Sequence, residues 1–173
     1  MKLKMVVAAL YCLPLCAHAQ WQTTVKPAPM SDLENATMLN TENMAQSIIV
    51  DCESGVLDVS YIEHYPQQPG EHIDSYKYFP MQLKVGKEKL DFSHVNVERR
   101  NPEYIAFKAV DYLETRHALY MLYKAKGPIT MGVKIGNQVS GVTLSSAGSS
   151  KAAAKMAKAC DVDLTYEVWE DLK

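Results

Sequence analysis

The chain lacks the patterns that accompany common hydrolytic and nucleotide-binding sites. It has no G-x-S-x-G nucleophile turn, no H-E-x-x-H zinc motif and no glycine-rich phosphate loop. We therefore nominate no catalytic residue, expect no cofactor and favour a protein that is not an enzyme.

Positive charge and long apolar runs are also scarce. The 173 residues contain 18 Lys and Arg against 20 Asp and Glu, and the longest basic run is Arg99-Arg100. Nucleic-acid binding relies on clustered cations that neutralise phosphates, so we expect no nucleic-acid partner. Past the first 19 residues no apolar run approaches the roughly 20 residues that cross a bilayer, so we expect no membrane span in the mature chain.

The first 19 residues have the composition of a secretory signal peptide. Lys2 and Lys4 precede a short apolar segment, which ends at Ala17-His18-Ala19. Cleavage after Ala19 would leave residues 20–173 as one β-rich domain with 16 basic and 20 acidic residues. A lipoprotein is the alternative, but the residues before Cys12 and Cys16 are Tyr and Leu rather than small ones.

Only Cys52 and Cys160 would remain after processing. Two cysteines in an exported chain usually form one disulfide, which here would tie the end of the last helix to an early strand. Free thiols in a metal or redox site are the alternative, although the chain lacks a C-x-x-C spacing. We expect the disulfide.

Alternating apolar residues predict a mostly β fold. Residues 47–52 and 56–61 flank a short glycine-containing turn and predict a hairpin, and residues 119–123 and 129–135 predict a second one. Trp21 and residues 37–39 predict two earlier strands, and residues 81–85 a later one. The class expected is an antiparallel β-sandwich-like domain with a C-terminal helix.

Three stretches are less regular. The apolar residues alternate with polar ones up to Phe92, but near Ser93-His94 this alternation shifts by one position, which predicts a bulge or a break. Residues 104–117 fit either a strand or a helical turn. Residues 149–160 have one small apolar face and one lysine face, which predicts a helix capped by Ser149 or Ser150. Alternation after Leu164 predicts one more strand.

The candidate partner-binding residues lie in a proline-rich loop and in the C-terminal tail. Aromatic side chains are enriched where proteins bind partners, and carboxylates steer basic partners. The alternatives are that the tyrosines cover the core edge or stack on carbohydrate, that Tyr61 belongs to the core, and that the tail is solvated or forms a charged edge strand. The predicted set is Tyr65, His72, Tyr76, Tyr78, Glu167, Glu170 and Asp171.

A metal site is the other use considered for this loop. Two Glu-His pairs, at 63–64 and 71–72, bracket it together with Asp74. Zinc ligands must converge on a tetrahedron, and two prolines in the loop give no indication of convergence. We predict a solvated loop and no metal.

Several short motifs resemble those of small exported bacterial proteins of the VasI type, which are associated with type VI secretion. The similarity runs from Trp21 to Cys160 and is strongest at its two ends. The matching segments are Trp21, Pro29-Met30-Ser31-Asp32, Ile48–Cys52, Val133–Ile135 and Ala157–Cys160. The resemblance implies a β-sandwich-like domain with a binding or accessory role in the cell envelope, and hence a periplasmic location.

Three functions compete on these grounds. The first is a periplasmic protein-binding module, most of all an immunity protein that neutralises a cell-envelope-targeting toxin. The second is a structural or accessory component of an envelope secretion system. The third is a metal or small-ligand binding protein that uses the Glu-His loop. Partner identity and oligomeric state are not encoded in any motif.

Overall fold

The computed structural model describes residues 21–29, 34–70, 73 and 79–164. Within them the chain is mostly β, with two antiparallel sheets and two helices, which confirms the predicted class. In chain order the elements are β1 (Trp21–Pro27), β2 (Glu34–Asn40), β3 (Gln46–Glu53), β4 (Val56–His64), β5 (Met81–Val85), β6 (Glu88–Phe92), β7 (Val95–Asn101), β8 (Tyr104–Ala109), α1 (Tyr112–Lys124), β9 (Ile129–Ile135), β10 (Gln138–Leu144) and α2 (Ser149–Ala159).

A six-stranded sheet in the order β1-β2-β3-β4-β8-β7 forms one layer. Its centre is the hairpin of β3 and β4, in which Ile48 pairs with Tyr61. The turn places Ser54 and Gly55 at φ angles of 51° and 84°, and glycine adopts such angles without steric cost. The hairpin predicted from residues 47–52 and 56–61 is confirmed.

The second layer consists of a four-stranded sheet, in the order β10-β9-β5-β6, together with both helices. The helices contact each other, α2 packs on β1 and β2, and α1 packs on β4. Both layers contribute to one hydrophobic core. The fully buried residues of the larger sheet include Met38, Ile48, Val50, Val59 and Tyr61.

The parity slip near Ser93-His94 marks a change of sheet. Strand β6 ends at Phe92 in the smaller sheet, and β7 begins at Val95 in the larger one. Because the chain crosses between the two layers here, the alternation of buried and exposed positions starts anew in β7. The predicted break is confirmed; the one register irregularity between β7 and β8 lies further on, between Arg99 and Asn101.

The strand predicted at residues 119–123 is wrong, because these residues belong to α1. Asp111 begins the helix: its carboxylate accepts hydrogen bonds from the backbone N–H groups of Leu113 and Glu114, both at 3.0 Å. The ambiguous stretch 104–117 is therefore a strand in its first half and a helix in its second. The buried face has helical spacing: Thr115, Ala118, Leu119 and Leu122.

Strand β9 pairs with β5 and β10 instead of with residues 119–123. The sequence patterns assigned no strand to residues 138–144, which form β10. Gly141 in fact lies opposite Gly132 in the β9–β10 ladder. A Cβ atom at Gly132 would lie 2.7 Å from the Ser140 carbonyl oxygen, so the two backbones approach too closely for a side chain.

Helix α2 and its disulfide are confirmed. Cys160 is the C-cap residue of α2, and its sulfur bonds to that of Cys52 on β3, with 5.9 Å between the Cα atoms. The predicted serine cap is wrong: Gly148 is the N-cap residue, at φ 82°, and no side chain caps the helix. Ser149 is buried, and the Ser150 hydroxyl instead donates to the Tyr123 carbonyl at 2.6 Å.

Two further expectations concern the ends of the chain and membranes. The predicted signal peptide and all but the first residue of the predicted C-terminal strand lie outside the described residues. Neither α1 nor α2 is long and apolar enough to cross a membrane, and the described part of the chain has no other helix.

Candidate partner-binding cleft

A cleft opens between the two sheets where β4, β7 and β8 face the β9–β10 hairpin. It holds about 810 Å³, which lies within the range of roughly 300–1,000 Å³ typical of ligand sites. The turn of the hairpin contains Gly136, whose φ of 60° lies in the region that glycine favours. We call this site the inter-sheet cleft.

One wall of the cleft is apolar and aromatic. Phe107 on β8 is buried, its ring centre lies 6.0 Å from that of Tyr61 in a stacked arrangement, and the Phe79 ring meets it edge-on at 5.5 Å. Val97 and Ile105 extend this wall along β7 and β8. Stacked and edge-to-face ring pairs of this kind are favourable, so they stabilise this arrangement of the wall.

The lip of the cleft exposes apolar side chains to solvent. Val139, on β10, is 78% exposed, Ile135 is 39% exposed and Tyr65 is 46% exposed. Exposed apolar groups that line one concave site are typical of binding surfaces, whereas scattered ones need no explanation. Tyr65 follows a strand of the larger sheet and the other two lie in the smaller one, so the lip exists only in the folded chain.

Tyr65 is held in place from two sides. Its backbone N–H donates to the Glu103 carbonyl at 2.8 Å. The Arg99 guanidinium lies 5.2 Å from its ring centre and also donates to its carbonyl oxygen. A partner that packs on this ring would find it already ordered, which lowers the entropic cost of binding.

The polar part of the cleft centres on Glu63. The Ser140 hydroxyl donates to Glu63 Oε2 at 2.9 Å, and the Gln46 amide donates to Glu63 Oε1 at 3.4 Å. The Tyr61 hydroxyl lies 2.8 Å from the Ser140 oxygen and 3.5 Å from Glu63 Oε2. Since Ser140 gives its proton to Glu63, Tyr61 donates to Ser140.

Among the described residues, the Glu63 carboxylate has no ion-pair partner. All its hydrogen-bond donors among the described residues are neutral, and no ion pair joins it to a Lys, Arg or His there. Burial, opposed in part by the Ser140 hydrogen bond and reinforced by the Glu63 charge, raises the pKa of Tyr61 to about 12. Tyr61 is therefore a neutral donor at physiological pH.

The larger sheet carries a second polar cluster, in which opposite charges are paired. Arg100 contacts Asp51 at 2.6 Å, and Lys108 contacts Asp58 at 3.0 Å and Glu98 at 3.5 Å. Burial raises the pKa of Asp58, and Lys108 only partly offsets it. Burial alone would lower the pKa of Lys108, but the two carboxylates outweigh it and raise that pKa. This cluster therefore neutralises itself and is a weaker candidate for binding a charged partner.

Of the predicted partner-binding residues, Tyr65 lies at the cleft, and the core position expected for Tyr61 is confirmed. The other six predicted residues, His72, Tyr76, Tyr78, Glu167, Glu170 and Asp171, lie outside the described residues. The sequence patterns missed Val139 and Ser140, which line the cleft, and Gln46, which contacts Glu63 and Ser140. The packing of the two sheets brings Ser140 to Glu63. The one available signal was Val139 itself, an apolar residue close after a turn.

The Glu-His pairs do not assemble in the described part of the chain. Glu63 and His64 are consecutive strand residues, so they point to opposite faces, and His64 pairs with Glu103 at 3.3 Å. Within the described ranges, no group of three or more His, Cys, Asp and Glu side chains is arranged so that it could hold a metal ion. Glu71, His72 and Asp74 fall outside them, so the predicted solvated loop stays a prediction.

Comparisons of the chain with protein-family models, with curated proteins and with solved structures find no match. The residues that carry the VasI-type resemblance and are described are mainly structural. Trp21, Cys52 and Cys160 are each at most 3% exposed. The resemblance, which stays a prediction, therefore concerns mainly the core, and Ile135 is its one described matching residue that also lines the cleft.

Proposed function

We propose that this chain is an exported, non-catalytic protein-binding module whose inter-sheet cleft takes a segment of a partner protein. Its proposed role is to neutralise a cell-envelope-targeting toxin in the periplasm. The observation that carries the proposal is the lip formed by Val139, Ile135 and Tyr65, apolar side chains held in solvent beside an aromatic wall.

A protein segment suits this site better than a small molecule does. The exposed groups lie on the lip, where they add contact area outside the cavity itself. Interfaces combine an apolar centre with aromatic anchors and a polar surround, and the exposed Val139 and Tyr65 can take the first two roles. A small ligand bound at Glu63 would not need to cover Val139, which is 78% exposed.

The experiment is affinity capture with the mature chain and two valine variants. Val139→Asp places a charge on the lip, and the matched control Val56→Asp changes a valine that is 66% exposed in the β3–β4 hairpin. Both sites are exposed, so both variants should fold. Periplasmic extract and purified envelope-targeting toxins, from the native strain and its neighbours, are passed over each immobilised chain.

The proposal expects one protein to be retained by the wild type and by Val56→Asp but not by Val139→Asp. Recovery of no protein, or equal recovery by both variants, would overturn it. Co-expression in cells then tests the proposed role, because a toxin that arrests growth should be neutralised by the wild type and by Val56→Asp only.

A secretion-accessory role is the competing function, and it rests on the VasI-type resemblance alone. Deletion of the gene separates the two roles. Loss of secretion favours the accessory role, whereas sensitivity to attack by sibling cells favours neutralisation.

A further inference from the structure

We propose that the partner segment inserts an arginine or lysine side chain into the inter-sheet cleft, with its charged end on Glu63 and an apolar residue beside it on the lip. This inference rests on the proposed function, since it specifies the chemistry of the same site. It adds the kind of side chain that the cleft selects.

The charge at the cleft is one argument. Among the described residues that line it, Glu63 is the one charged side chain, and the others are apolar or neutral. A carboxylate in an apolar cleft with only neutral donors attracts a cation more strongly than an exposed one does, because the surroundings screen it less.

The open hydrogen-bonding capacity of Glu63 is a second argument. An ionised carboxylate offers about four acceptor sites. Oε2 receives the Ser140 hydroxyl at 2.9 Å, whereas Oε1 receives only a long contact of 3.4 Å from Gln46. Oε1 is therefore the atom best placed to accept a further donor, and a guanidinium can use both oxygens at once.

The apolar surroundings of the charge are a third argument. Ile105, Phe107 and Val139 line the same cleft as the Glu63 carboxylate. Arginine and lysine suit such a site, since they bury an aliphatic stem on apolar surface and place the charge at its end. A free inorganic cation would gain nothing from these walls.

The test uses a displayed library of random dodecapeptides, selected on the immobilised mature chain. The inference expects enrichment of sequences in which Arg or Lys lies next to apolar residues. The Glu63→Gln variant should lose the basic residue from its selected peptides, and the matched control Glu53→Gln, changed at the exposed end of β3, should keep it. For one selected peptide, Glu63→Gln should weaken binding by about 30-fold or more.

Two results would overturn the inference. They are enrichment of no basic-apolar sequence, and the same selected sequences with Glu63→Gln.

The two proposals fail separately. If affinity capture finds a partner whose binding Glu63→Gln leaves unchanged, the protein-binding function stands and the basic side chain is wrong. If the library enriches basic-apolar peptides while capture finds no protein, the chemistry of the cleft stands and the proposed function is wrong.

Discussion

Loss of the Cys52–Cys160 disulfide should destabilise this fold more than any single surface change. The bond closes a loop with a sequence separation of 108 residues. In the chain-entropy model, a closed loop of that length reduces the entropy of the unfolded chain and so raises its free energy by about 4–5 kcal/mol. For a chain of this size, that loss corresponds to a fall in melting temperature of about 8–20 °C.

The measurement is urea unfolding at neutral pH of the wild type and of the double variant Cys52→Ala, Cys160→Ala. The free energy of unfolding should fall by about 4–5 kcal/mol, and the denaturant slope should rise because the unfolded chain is less compact. Wild type that has been reduced is the control, since it keeps both sulfur atoms. The difference between it and the double variant isolates the packing of the two buried sulfurs.

A loss of less than about 1 kcal/mol with an unchanged slope would refute this reasoning. It would mean that the bond does not restrict the unfolded chain as its loop length requires. Helix α2 would then be held on β1 and β2 by packing alone.

Three further predictions concern single residues. The pKa of Tyr61 is about 12 in the folded chain against an ordinary 10.0, so the stability that the neutral side chain contributes is complete below pH 10 and is lost as pH rises through 12. Relative to Tyr61→Phe, the wild-type free energy of unfolding should therefore fall by about 2 kcal/mol between pH 9 and 11.5 in urea titrations. A difference between the two proteins that stays constant with pH would contradict this. Gly132→Ala should lower the free energy of unfolding, measured by thermal unfolding, by about 1–3 kcal/mol, because the new Cβ atom would collide with the backbone. Gly127→Ala, whose Cβ would meet no atom within 4 Å, should lower it little, and equal effects of the two variants would exclude the steric explanation. Asp111→Ala should lower the free energy of unfolding by about 1 kcal/mol because α1 loses its N-cap, whereas Asp111→Asn should keep most of the wild-type stability. Calorimetry of both variants tests this.

Where the sequence predicted the fold correctly, the local pattern and the tertiary environment agreed. Residues 47–61 form a hairpin because β-branched runs flank a turn that glycine permits. Helix α2 and the disulfide followed from a small-residue face that ends in a cysteine. The sheet change after Phe92 was visible as a change of parity.

The errors arose where one pattern fitted two structures. Leu119, Met121 and Tyr123 alternate like a strand, but the buried positions of α1 recur at helical spacing and Asp111 caps its start. No strand was predicted for residues 138–144, and glycine is unfavourable in strands, yet a close backbone approach requires Gly141 in β10. A short pattern carries no information about such a neighbour.

The cleft was less predictable than the fold. Tyr65 was a candidate because aromatics surround its loop, whereas Val139 and Ser140 join it from a strand that the patterns missed. The residues Glu63 and Ser140 are 77 positions apart, and only the packing of the two sheets brings them into hydrogen-bond contact. Sites assembled between layers depend on that packing, which local periodicity does not specify.

The most direct test of a partner site in the inter-sheet cleft is photo-crosslinking in living cells. A photoreactive amino acid at Gln138, an exposed cleft residue, should join the chain to one envelope protein through a peptide that contains Arg or Lys beside an apolar residue. The same probe at Val56, in the β3–β4 hairpin, should not form this product. Equal cross-linking from both positions, or cross-linking from Val56 alone, would contradict the account.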